Sequence, residues 1–456
     1  MELHVVVLAA GEGKRMNSSL PKVLQPLGGQ PMLAHVLDAA RALDPAAVHV
    51  VVGHGSERVR KQVAEAGDPR LRCVEQSERL GTGHAVQQAI GDVPGGARML
   101  VLPGDMPLVR AATLVTALEA GADLTLLSFV AEDPHGYGRI LRDADGRVVG
   151  IREQRDASAD EAAIREVNSG VLCADRDRLA DWLGRLDNDN RQGEYYLTDC
   201  AGLAATDGAS VEARVIQDAT EALGANDMAQ LAGLEEVLQQ RRRAALLAAG
   251  VRMPAPGSVQ IRGGVEAGRD VVVDAGAVLE GRVELGDGVH VGVGAVLRDC
   301  RLAAGTRVEA YSVLEGAETS GACSIGPFAR LRPGTVLAEG TKIGNFVETK
   351  NARFDAGAKA SHLTYVGDAS VGAGANLGAG TITCNYDGVN KHRTRIGADA
   401  FVGSNSSLVA PVDVGEGATI GAGSVVSGEA PAGAQTVARA RQRTIPGWKR
   451  PAKKTG

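Results

Sequence analysis

The chain has 456 residues, enough for two or three domains, and its net charge of −6 and pI near 5.9 are not typical of a protein that binds nucleic acid or an anionic membrane. The apolar run from Val5 to Ala10 is too short for a signal sequence, and no later segment approaches ~18 apolar residues. The six cysteines form no CxxC motif. These features predict a cytoplasmic protein with reduced thiols.

Apolar strands alternate with amphipathic helices through the first half of the chain. Such alternation predicts an α/β domain with a mostly parallel sheet, helices on both faces and ligands at the carboxyl ends of the strands. The predicted strands are 5–8, 48–52, 99–102 and 124–130, and the predicted helices are 32–41 and 59–65.

A glycine-rich turn, residues 8–16, follows the first predicted strand. Glycines let backbone N–H groups approach a phosphate, and Lys14, Arg15 and Lys22 would neutralise its charge. The turn lacks the third glycine of a dinucleotide-binding fingerprint and is not a Walker loop. It therefore indicates a phosphate site of another kind.

Asp105 follows a later apolar strand in the turn Pro103-Gly-Asp105. A carboxylate at the edge of a sheet is suited to Mg²⁺, although an ordinary turn is an equal alternative. Asn226 by itself indicates an N-cap for the next helix. That helix is predicted over 227–250, with Arg241–Arg243 on a solvated face, and it links a domain over 1–226 to one over 251–456.

The C-terminal part repeats with a period of six, as an aliphatic residue followed by Gly in many repeats. This period is typical of a parallel β-helix, in which three hexapeptides form one triangular coil. Roughly nine or ten coils fit between residues 257 and 433. The aliphatic positions predicted to lie inside are Val273, Leu279, Leu285, Val291, Leu297, Ile325, Leu331, Leu337, Ile343, Val371, Leu377, Ile396, Val402, Leu408, Val414, Ile420 and Val426.

The period fails in two places, and each carries reactive side chains. Residues 381–395 are predicted to leave the prism as a loop, and loops on rigid scaffolds often carry function. Residues 349–365 bring His362 close to Lys350 and Tyr365. A histidine beside cations can take a proton from an attacking amine, although a single histidine is more often structural.

Leu8-Ala-Ala-Gly-Glu-Gly-Lys-Arg-Met16 with Pro21-Lys-Val-Leu24 resembles the signature of sugar-1-phosphate nucleotidyltransferases. Followed by a hexapeptide β-helix and a basic tail, nearly the whole chain resembles the bacterial bifunctional N-acetylglucosamine-1-phosphate uridylyltransferase/glucosamine-1-phosphate N-acetyltransferase family. Lys14 and Pro103 depart from the Thr and Tyr of many relatives. Further matching motifs are Gln76, Gly81-Thr-Gly-His-Ala85, Gly104-Asp-Met-Pro-Leu108, Gly136-Tyr-Gly-Arg-Ile140, Glu153, Asn168-Ser-Gly170 and Gly193-Glu-Tyr-Tyr-Leu-Thr-Asp199.

The resemblance implies a Rossmann-like nucleotidyltransferase domain followed by a left-handed parallel β-helix, assembled as a homotrimer. It implies that glucosamine 1-phosphate is acetylated by acetyl-CoA and that the product then attacks UTP, releasing pyrophosphate. The UDP-N-acetylglucosamine formed would supply peptidoglycan and lipopolysaccharide synthesis.

The resemblance also implies the residues of the uridylyltransferase site. Arg15 and Lys22 would be the catalytic cations, and Asp105 and Asn226 would hold Mg²⁺. The implied contacts of UTP and UDP-N-acetylglucosamine are Leu8, Ala9, Ala10, Gly11, Lys22, Gln76, Gly81, Thr82, Gly138, Glu153, Asn168 and Asn226.

In the acetyltransferase site, the resemblance makes His362 the catalytic base and Glu348 the carboxylate that orients it. Arg439 and the tail 449–454 could reach the phosphates of the coenzyme, although a merely solubilising tail is an equal alternative. Glucosamine 1-phosphate would contact Arg332, Lys350, Tyr365, Asn376, Asn385, Tyr386 and Lys391. Acetyl-CoA would contact Ala379, Asn385, Tyr386, Ser404, Ala422 and Arg439.

Two other interpretations stay open at this point. The β-helix could be an assembly or regulatory domain beside a single nucleotidyltransferase activity, or the whole chain could be a scaffold that catalyses nothing. The presence of Arg15, Lys22 and Asp105 argues against the scaffold, and the residues around His362 argue against a single activity.

Overall fold

A computed structural model describes residues 1–11, 13–53 and 56–453. Lys454 of the basic tail and the side chain of Lys14 lie outside the described part, so their phosphate contacts stay predictions. Internal contacts divide the chain into two units, Met1–Gln239 and Gln240–Gly456. The division falls inside one long helix, and the functional boundaries at 226 and 250 stay predictions.

The first unit is built on a nine-stranded sheet with the path β11-β7-β10-β6-β1-β4-β5, from which β8 and β9 branch. β1 pairs in parallel with β4 and β6, whereas β10 runs antiparallel to β6 and β7. The predicted mostly parallel α/β sheet is confirmed. The strands are β1 Leu3–Leu8, β2 Pro26–Leu27, β3 Gln30–Pro31, β4 Ala47–Gly53, β5 Leu71–Gln76, β6 Arg98–Pro103, β7 Leu124–Val130, β8 Arg139–Arg142, β9 Val148–Arg152, β10 Glu166–Asp175 and β11 Val211–Val215.

Helices cover both faces of this sheet because its central strands are apolar on both sides. One buried cluster joins the sheet to α1, α2 and α4, and a second joins it to α3, α6 and α7. Short 3₁₀ turns at Lys14–Met16 and Lys22–Leu24 follow β1. The helices are α1 Met32–Arg41, α2 Glu57–Glu65, α3 Thr82–Ile90, α4 Ala111–Leu118, α5 Ala159–Ala162, α6 Arg176–Gly184, α7 Asp199–Thr206 and α8 Met228–Ala248.

The second unit is a left-handed parallel β-helix whose short strands stack coil on coil in a ten-stranded and a fourteen-stranded sheet. Within the described residues the ten-stranded sheet has one strand per coil, which agrees with the predicted nine or ten coils. The strands are β12 Gln260–Ala267, β13 Val272–Val273, β14 Val278–Leu285, β15 His290–Val291, β16 Val296–Leu302, β17 Arg307–Val308, β18 Val313–Glu315, β19 Ala317–Thr319, β20 Ser324–Ile325, β21 Arg330–Leu331, β22 Thr335–Leu337, β23 Lys342–Asn345, β24 Glu348–Phe354, β25 Lys359–His362, β26 Tyr365–Val371, β27 Asn376–Leu377, β28 Ile382–Cys384, β29 Thr394–Ile396, β30 Phe401–Val402, β31 Ser407–Val409, β32 Val412–Val414, β33 Thr419–Ile420, β34 Val425–Val426 and β35 Gln435–Thr436.

The core of the β-helix is a continuous stack of the aliphatic side chains that the repeat predicts. All of the predicted inward positions from Val273 to Val426 are buried, with at most 3% of the residue exposed. Threonine replaces aliphatic residues at some inward positions, and some of these hydroxyls find a partner on a neighbouring coil. The hydroxyls of Thr335 and Thr349, for example, are 2.9 Å apart.

The predicted loop over 381–395 is too long, and this prediction was wrong at both ends. Ile382–Cys384 pairs with Ser407–Val409, and Thr394–Ile396 pairs with Val412–Val414. Only residues 385–393 leave the sheets. The error arose because buried threonines at 381, 383 and 394 occupy positions where an aliphatic residue was expected.

The prediction of a solvated arginine face on α8 was also wrong. Arg243 is 6% exposed, and its Nε donates to the carbonyl of Val259 at 3.0 Å. Arg242 donates through Nη1 to the carbonyl of Ile261 at 2.6 Å. These carbonyls belong to the first coil, which has no preceding coil to pair with, so the arginines satisfy polar groups at its open end.

No helix in the described ranges is both long enough and apolar enough to cross a membrane. All six cysteines lie in the described part and are free thiols, four of them buried. The predicted reduced state therefore agrees with the structure.

Candidate active sites

A cavity of about 460 Å³ opens at the carboxyl ends of the strands in the first unit. Leu8, Gln76 and Pro103, the last residues of β1, β5 and β6, all lie on its wall. Of the residues predicted for the uridylyltransferase site, Ala9, Arg15, Gly138 and Asn226 are not on the wall. Those on the wall are Leu8, Ala10, Gly11, Lys22, Gln76, Gly81, Thr82, Asp105, Glu153 and Asn168.

Two glycines are required by close approaches near this cavity. Gly81 has φ = 110°, and a Cβ there would lie 2.6 Å from the carbonyl oxygen of Tyr195. Gly13 has φ = 64°, and its Cβ would lie 2.4 Å from the Cβ of Lys22. An L side chain at either position would be strained and would displace a wall of the cavity.

Lys22 joins the two predicted metal ligands. Its Nζ lies 2.5 Å from Oδ2 of Asp105 and donates to Oδ1 of Asn226 at 2.7 Å. One cation thus contacts both oxygens, although the two residues are 121 positions apart in the chain. The structure thus brings one predicted catalytic cation together with both predicted metal ligands.

The donor set of Asp105 and Asn226 fits Mg²⁺, which prefers carboxylate and amide oxygens and keeps further positions for phosphate and water. The fit is supported by the Lys22 ammonium, which occupies a position within reach of both oxygens. Gly224 permits the approach, because a Cβ there would lie 3.2 Å from Oδ2 of Asp105. The predicted N-cap role of Asn226 was wrong, since Asp227 accepts from the N–H of Gln230 instead.

The three residues predicted for the sugar lie close together, and two of them, Glu153 and Asn168, are on the cavity wall. Oε1 of Glu153 accepts from the Thr198 hydroxyl at 2.9 Å, and Gly138 lies so close that its Cβ would be 3.3 Å from the same oxygen. The N–H of Asn168 donates to the carbonyl of Gly138 at 2.8 Å. Burial raises the pKa of Glu153, against the opposing effect of the hydrogen bond from Thr198. A half-buried carboxylate acceptor in this position is suited to sugar hydroxyls.

Sequence reasoning missed Thr198 and Arg79, which also line the cavity. Thr198 lies inside the motif 193–199, for which no single residue was assigned a role. Its hydrogen bond to Glu153 is what makes it a candidate site residue. Arg79 lies three residues after Gln76, and its guanidinium packs over Gly53, where a Cβ would be 3.1 Å from Nε. Pro103, one of the two departures from the family, lies on the cavity wall with Asp105 and Gly170. A Cβ on Gly170 would lie 2.8 Å from Cγ of Pro103.

In the second unit, His362 is held by Asn345 and not by Glu348 as predicted. Nδ1 of His362 lies 2.6 Å from Oδ1 of Asn345, its neighbour on the previous coil. Glu348 instead accepts from Nη1 of Arg332 at 3.0 Å. Because an amide oxygen only accepts, Nδ1 carries the proton and Nε2 is available as a base. The orienting role therefore belongs to Asn345 within this chain.

Three cations lie together beside the loop 385–393. Lys391 and then Arg332 lower the pKa of Lys350, because a second and a third positive charge disfavour its protonated form. Such mutual repulsion indicates a site for an anion. The loop contributes Lys391 through an isolated bridge to Tyr386, whose hydroxyl donates to the carbonyl of Gly388 at 2.5 Å.

Asp368 anchors this loop and was not singled out from the sequence. It is 8% exposed, and it accepts from Nδ2 of Asn351 at 2.6 Å and from the amide of Asn385. Burial acts to raise the pKa of Asp368, but these two hydrogen bonds and the attraction of Lys391 and Lys350 outweigh it, so the pKa is lowered. Tyr365 packs nearby over Gly367, where a Cβ would lie 2.4 Å from its hydroxyl.

A column of small residues continues from His362 along the turns of successive coils. The carbonyls of His362, Ala379 and Ser404 accept from the residues that follow Ala379, Ser404 and Ala422, respectively. The guanidinium of Arg439 donates to the carbonyl of Ala422 at the end of the column. Of the positions predicted for acetyl-CoA, Ala379, Ser404, Ala422 and Arg439 thus form one line that begins at the predicted base. The other two, Asn385 and Tyr386, lie in the loop 385–393.

Asn376 is the predicted residue that the structure does not bring to this cluster. It lies in the ten-stranded sheet between Lys359 and Phe401, whereas the cations lie along the fourteen-stranded sheet and its loop.

Comparison with known families assigns both halves. Residues 5–193 match the MobA-like NTP transferase domain, and residues 393–428 match six bacterial transferase hexapeptide repeats. The chain is thus an enzyme that joins a nucleotidyltransferase domain to a hexapeptide transferase domain.

Full-length relatives define the family. The chain is 57% identical over 453 residues to bifunctional protein GlmU of Stenotrophomonas maltophilia strain K279a, covering 99% of both chains. It is 56% identical over 454 residues to the protein of the same name from Xanthomonas euvesicatoria pv. vesicatoria strain 85-10, covering 100% of both. A solved UDP-glucose pyrophosphorylase complexed with UDP-glucose covers 53% of this chain and 100% of that chain, at 14% identity and a TM-score of 0.43, which supports no further conclusion. The chain belongs to the bifunctional GlmU family.

Proposed function

We propose that the chain makes UDP-N-acetylglucosamine in two steps. The β-helix unit transfers an acetyl group from acetyl-CoA to the amine of glucosamine 1-phosphate. The first unit then transfers a uridylyl group from UTP to the phosphate of N-acetylglucosamine 1-phosphate, and pyrophosphate leaves. Both co-substrates are cytoplasmic metabolites, so we place the enzyme in the cytoplasm, as a source of peptidoglycan and lipopolysaccharide precursors.

The observation that carries uridylyl transfer is the contact of Lys22 with both Asp105 and Asn226 beside the cavity. In this reaction a phosphate oxygen of the sugar attacks the α-phosphorus, and the bond from that phosphorus to the pyrophosphate oxygen breaks. The main requirement is to position two anions and neutralise them. Lys22 supplies a fixed charge for this purpose, and exposed Arg15 would add a second charge once the triphosphate is bound.

Mg²⁺ held by Asp105 and Asn226 would supply further positive charge to the triphosphate oxygens. The chain's own residues orient the two ends of the substrates. Gln76 and Gly81 on the cavity wall would contact the base, and Glu153 and Asn168 on the same wall would contact the sugar hydroxyls.

Acetyl transfer uses His362 as the base. The amine nitrogen attacks the thioester carbon, Nε2 takes a proton from that nitrogen, the C–S bond breaks, and the same proton passes from Nε2 to the departing sulfur, so that coenzyme A leaves as a thiol. Asn345 fixes the tautomer that leaves Nε2 available. Arg332, Lys350 and Lys391 would bind the phosphate of the sugar, and the small-residue column would carry the pantetheine.

A closed homotrimer completes this proposal. Asn376 lies away from the cations of its own chain, so it would serve an acetyltransferase site only from a neighbouring subunit. The exposed tail before residue 454 would then reach the coenzyme phosphates.

The test follows both half-reactions in the parent and in His362→Ala. Thiol release from acetyl-CoA with glucosamine 1-phosphate should fall by at least about 100-fold in the variant. Pyrophosphate release from UTP with N-acetylglucosamine 1-phosphate should not change. A parent that releases pyrophosphate but no thiol would show that the β-helix is an assembly domain, and a parent that releases neither would refute the proposal.

A further inference from the structure

The side-chain amide of Gln76 has a fixed orientation at the cavity. Gln76 is 3% exposed, and its Nε2 lies 3.1 Å from the carbonyl oxygen of Gly81 and 3.1 Å from Nδ1 of His84. A backbone carbonyl can only accept, so the nitrogen and not the oxygen of the amide must face Gly81. Both N–H groups of Gln76 are therefore engaged inside the protein.

The oxygen of this amide is left for a ligand. Within the described ranges no hydrogen bond reaches Oε1 of Gln76, and the residue lies on the cavity wall. A buried amide oxygen without a protein donor is an acceptor for a donor that enters with the substrate.

His84 provides one of the two acceptors that orient the Gln76 amide. Because Gln76 points an N–H at Nδ1, that nitrogen must be the unprotonated acceptor of the imidazole. In this tautomer Nε2 carries the proton. It lies 3.2 Å from Nε2 of Gln88, one helical turn further along α3, which donates to the carbonyl of His84, so the two nitrogens are in packing contact and are not hydrogen-bonded. The ring is also tilted against Tyr195, with centroids 6.5 Å apart. These contacts hold the imidazole in place behind Gln76.

A pyrimidine base distinguishes the two possible orientations of a glutamine amide. Uracil presents N3–H, a donor, whereas cytosine presents an unprotonated N3, an acceptor. An amide oxygen in the cavity accepts from uracil and opposes the lone pair of cytosine, and a rotated amide would reverse this preference. Rotation would also bring Oε1 toward the carbonyl of Gly81, which cannot donate.

We infer that His84 is a positioning residue for nucleotide selection: through Nδ1 it fixes the Gln76 amide so that the site accepts uridine and rejects cytidine triphosphate. This inference rests on the proposed uridylyl transfer. The role is indirect, because His84 acts on Gln76 and does not itself line the cavity.

The experiment measures kcat/KM for pyrophosphate release from UTP and from CTP, each with N-acetylglucosamine 1-phosphate. His84→Ala removes the acceptor Nδ1 for the Gln76 amide. The ratio of kcat/KM for UTP to kcat/KM for CTP should then fall about tenfold, the value of one hydrogen bond. In His84→Asn the amide oxygen replaces Nδ1 as an acceptor, and the ratio should stay near that of the parent. Exposed His135→Ala is the matched control.

The outcomes separate this inference from the proposed function. A parent without pyrophosphate release from UTP would refute the function itself. If the parent prefers UTP and His84→Ala slows both nucleotides equally, His84 is merely structural and the inference fails. It also fails if His84→Asn loses selectivity as His84→Ala does. If His84→Ala does not fold, His84→Leu also lacks the acceptor and replaces it, with the same two expectations.

Discussion

At the scale of single residues, Lys22 combines two functions that a sequence motif alone does not separate. Its ammonium pairs with the Asp105 carboxylate and donates to the Asn226 amide oxygen, and it also lies on the wall of the cavity proposed to take the triphosphate. It is also shielded, with 13% of the side chain exposed, so its charge is little screened by solvent.

We predict that Lys22→Ala lowers kcat/KM for pyrophosphate release by about 100-fold or more, because a preorganised charge at the transferring phosphate is lost. Thiol release in the acetyl transfer assay should be unchanged. The control is Lys61→Ala, a lysine whose side chain is 76% exposed on α2. A loss below threefold for Lys22→Ala would contradict the role assigned to this ammonium.

A second residue-scale prediction concerns the buried pair of His4 and His49. Nδ1 of His4 lies 3.1 Å from Nε2 of His49, and His49 is fully buried. Burial first, then the charges of His4 and Arg72, lower the pKa of His49 from 6.5 to about 4. Asp92 acts in the opposite direction. Burial also lowers the pKa of His4, with Glu2 opposing. Below pH 6.5 the unfolded chain therefore binds a proton that the folded chain does not.

The folded protein therefore loses stability as the pH falls from 6.5 toward 4. Between pH 7 and pH 5, His49 alone should lower the free energy of unfolding by about 2 kcal/mol. Chemical denaturation at several pH values measures this slope. His49→Leu should remove most of it, exposed His135→Leu should retain it, and equal slopes in the parent and His49→Leu would contradict the assignment.

At the scale of elements, the sequence predicts the positions that recur in every hexapeptide. It does not predict contacts between side chains on neighbouring coils. The period of six identifies the inward aliphatic positions, because each hexapeptide is a local unit. Asn345 and His362 are 17 residues apart and meet only because one coil has that length. The resemblance implied Glu348 as the orienting residue, and no local pattern points to Asn345, because its contact with His362 depends on the length of the coil.

In the first unit, too, the sequence predicts local features and does not predict long-range contacts. Strand ends and glycine-rich turns locate the cavity, since parallel strands place their carboxyl ends at one edge. The contact between Lys22 and Asn226 depends on the chain returning to the same edge after 204 residues, and Thr198 becomes a candidate only through its bond to Glu153. Such contacts are set by the fold and not by composition.

The loop 385–393 gives the element-scale prediction. Asp368 holds its first residue, Asn385, and attracts Lys391 and Lys350. Asp368→Asn should raise KM for glucosamine 1-phosphate about tenfold, because the loop loses a charged acceptor and the phosphate cations lose their placement. The kcat at saturation should change less than threefold, since His362 and Asn345 lie outside this network.

The control for this prediction is Asp355→Asn, which removes a half-exposed carboxylate paired with Arg353 on the same β-helix. Thiol release at varied concentrations of glucosamine 1-phosphate gives KM and kcat separately. A fall in kcat with an unchanged KM would show that Asp368 supports the base instead of the loop.

At the scale of the whole molecule, each contact unit has its own apolar core. The buried cluster of the second unit extends from Leu246 to Ala430, whereas the clusters of the first unit lie between its sheet and helices. A hole in the β-helix core should therefore weaken the stack of coils and leave the uridylyltransferase cavity unaltered.

Phe354 tests this separation, because it is fully buried in the middle of the stack. Phe354→Ala should lower the stability of the β-helix by about 3–5 kcal/mol through lost apolar contact and an unfilled cavity. After brief heating, thiol release should be lost at a lower temperature than in the parent, while pyrophosphate release should be lost at the parent's temperature. Phe401→Ala, which removes a phenylalanine that is 50% exposed, is the matched control and should change neither. If both activities were lost together in Phe354→Ala, the two units would unfold as one cooperative body, and the two reactions would share a common stability in spite of their separate cores.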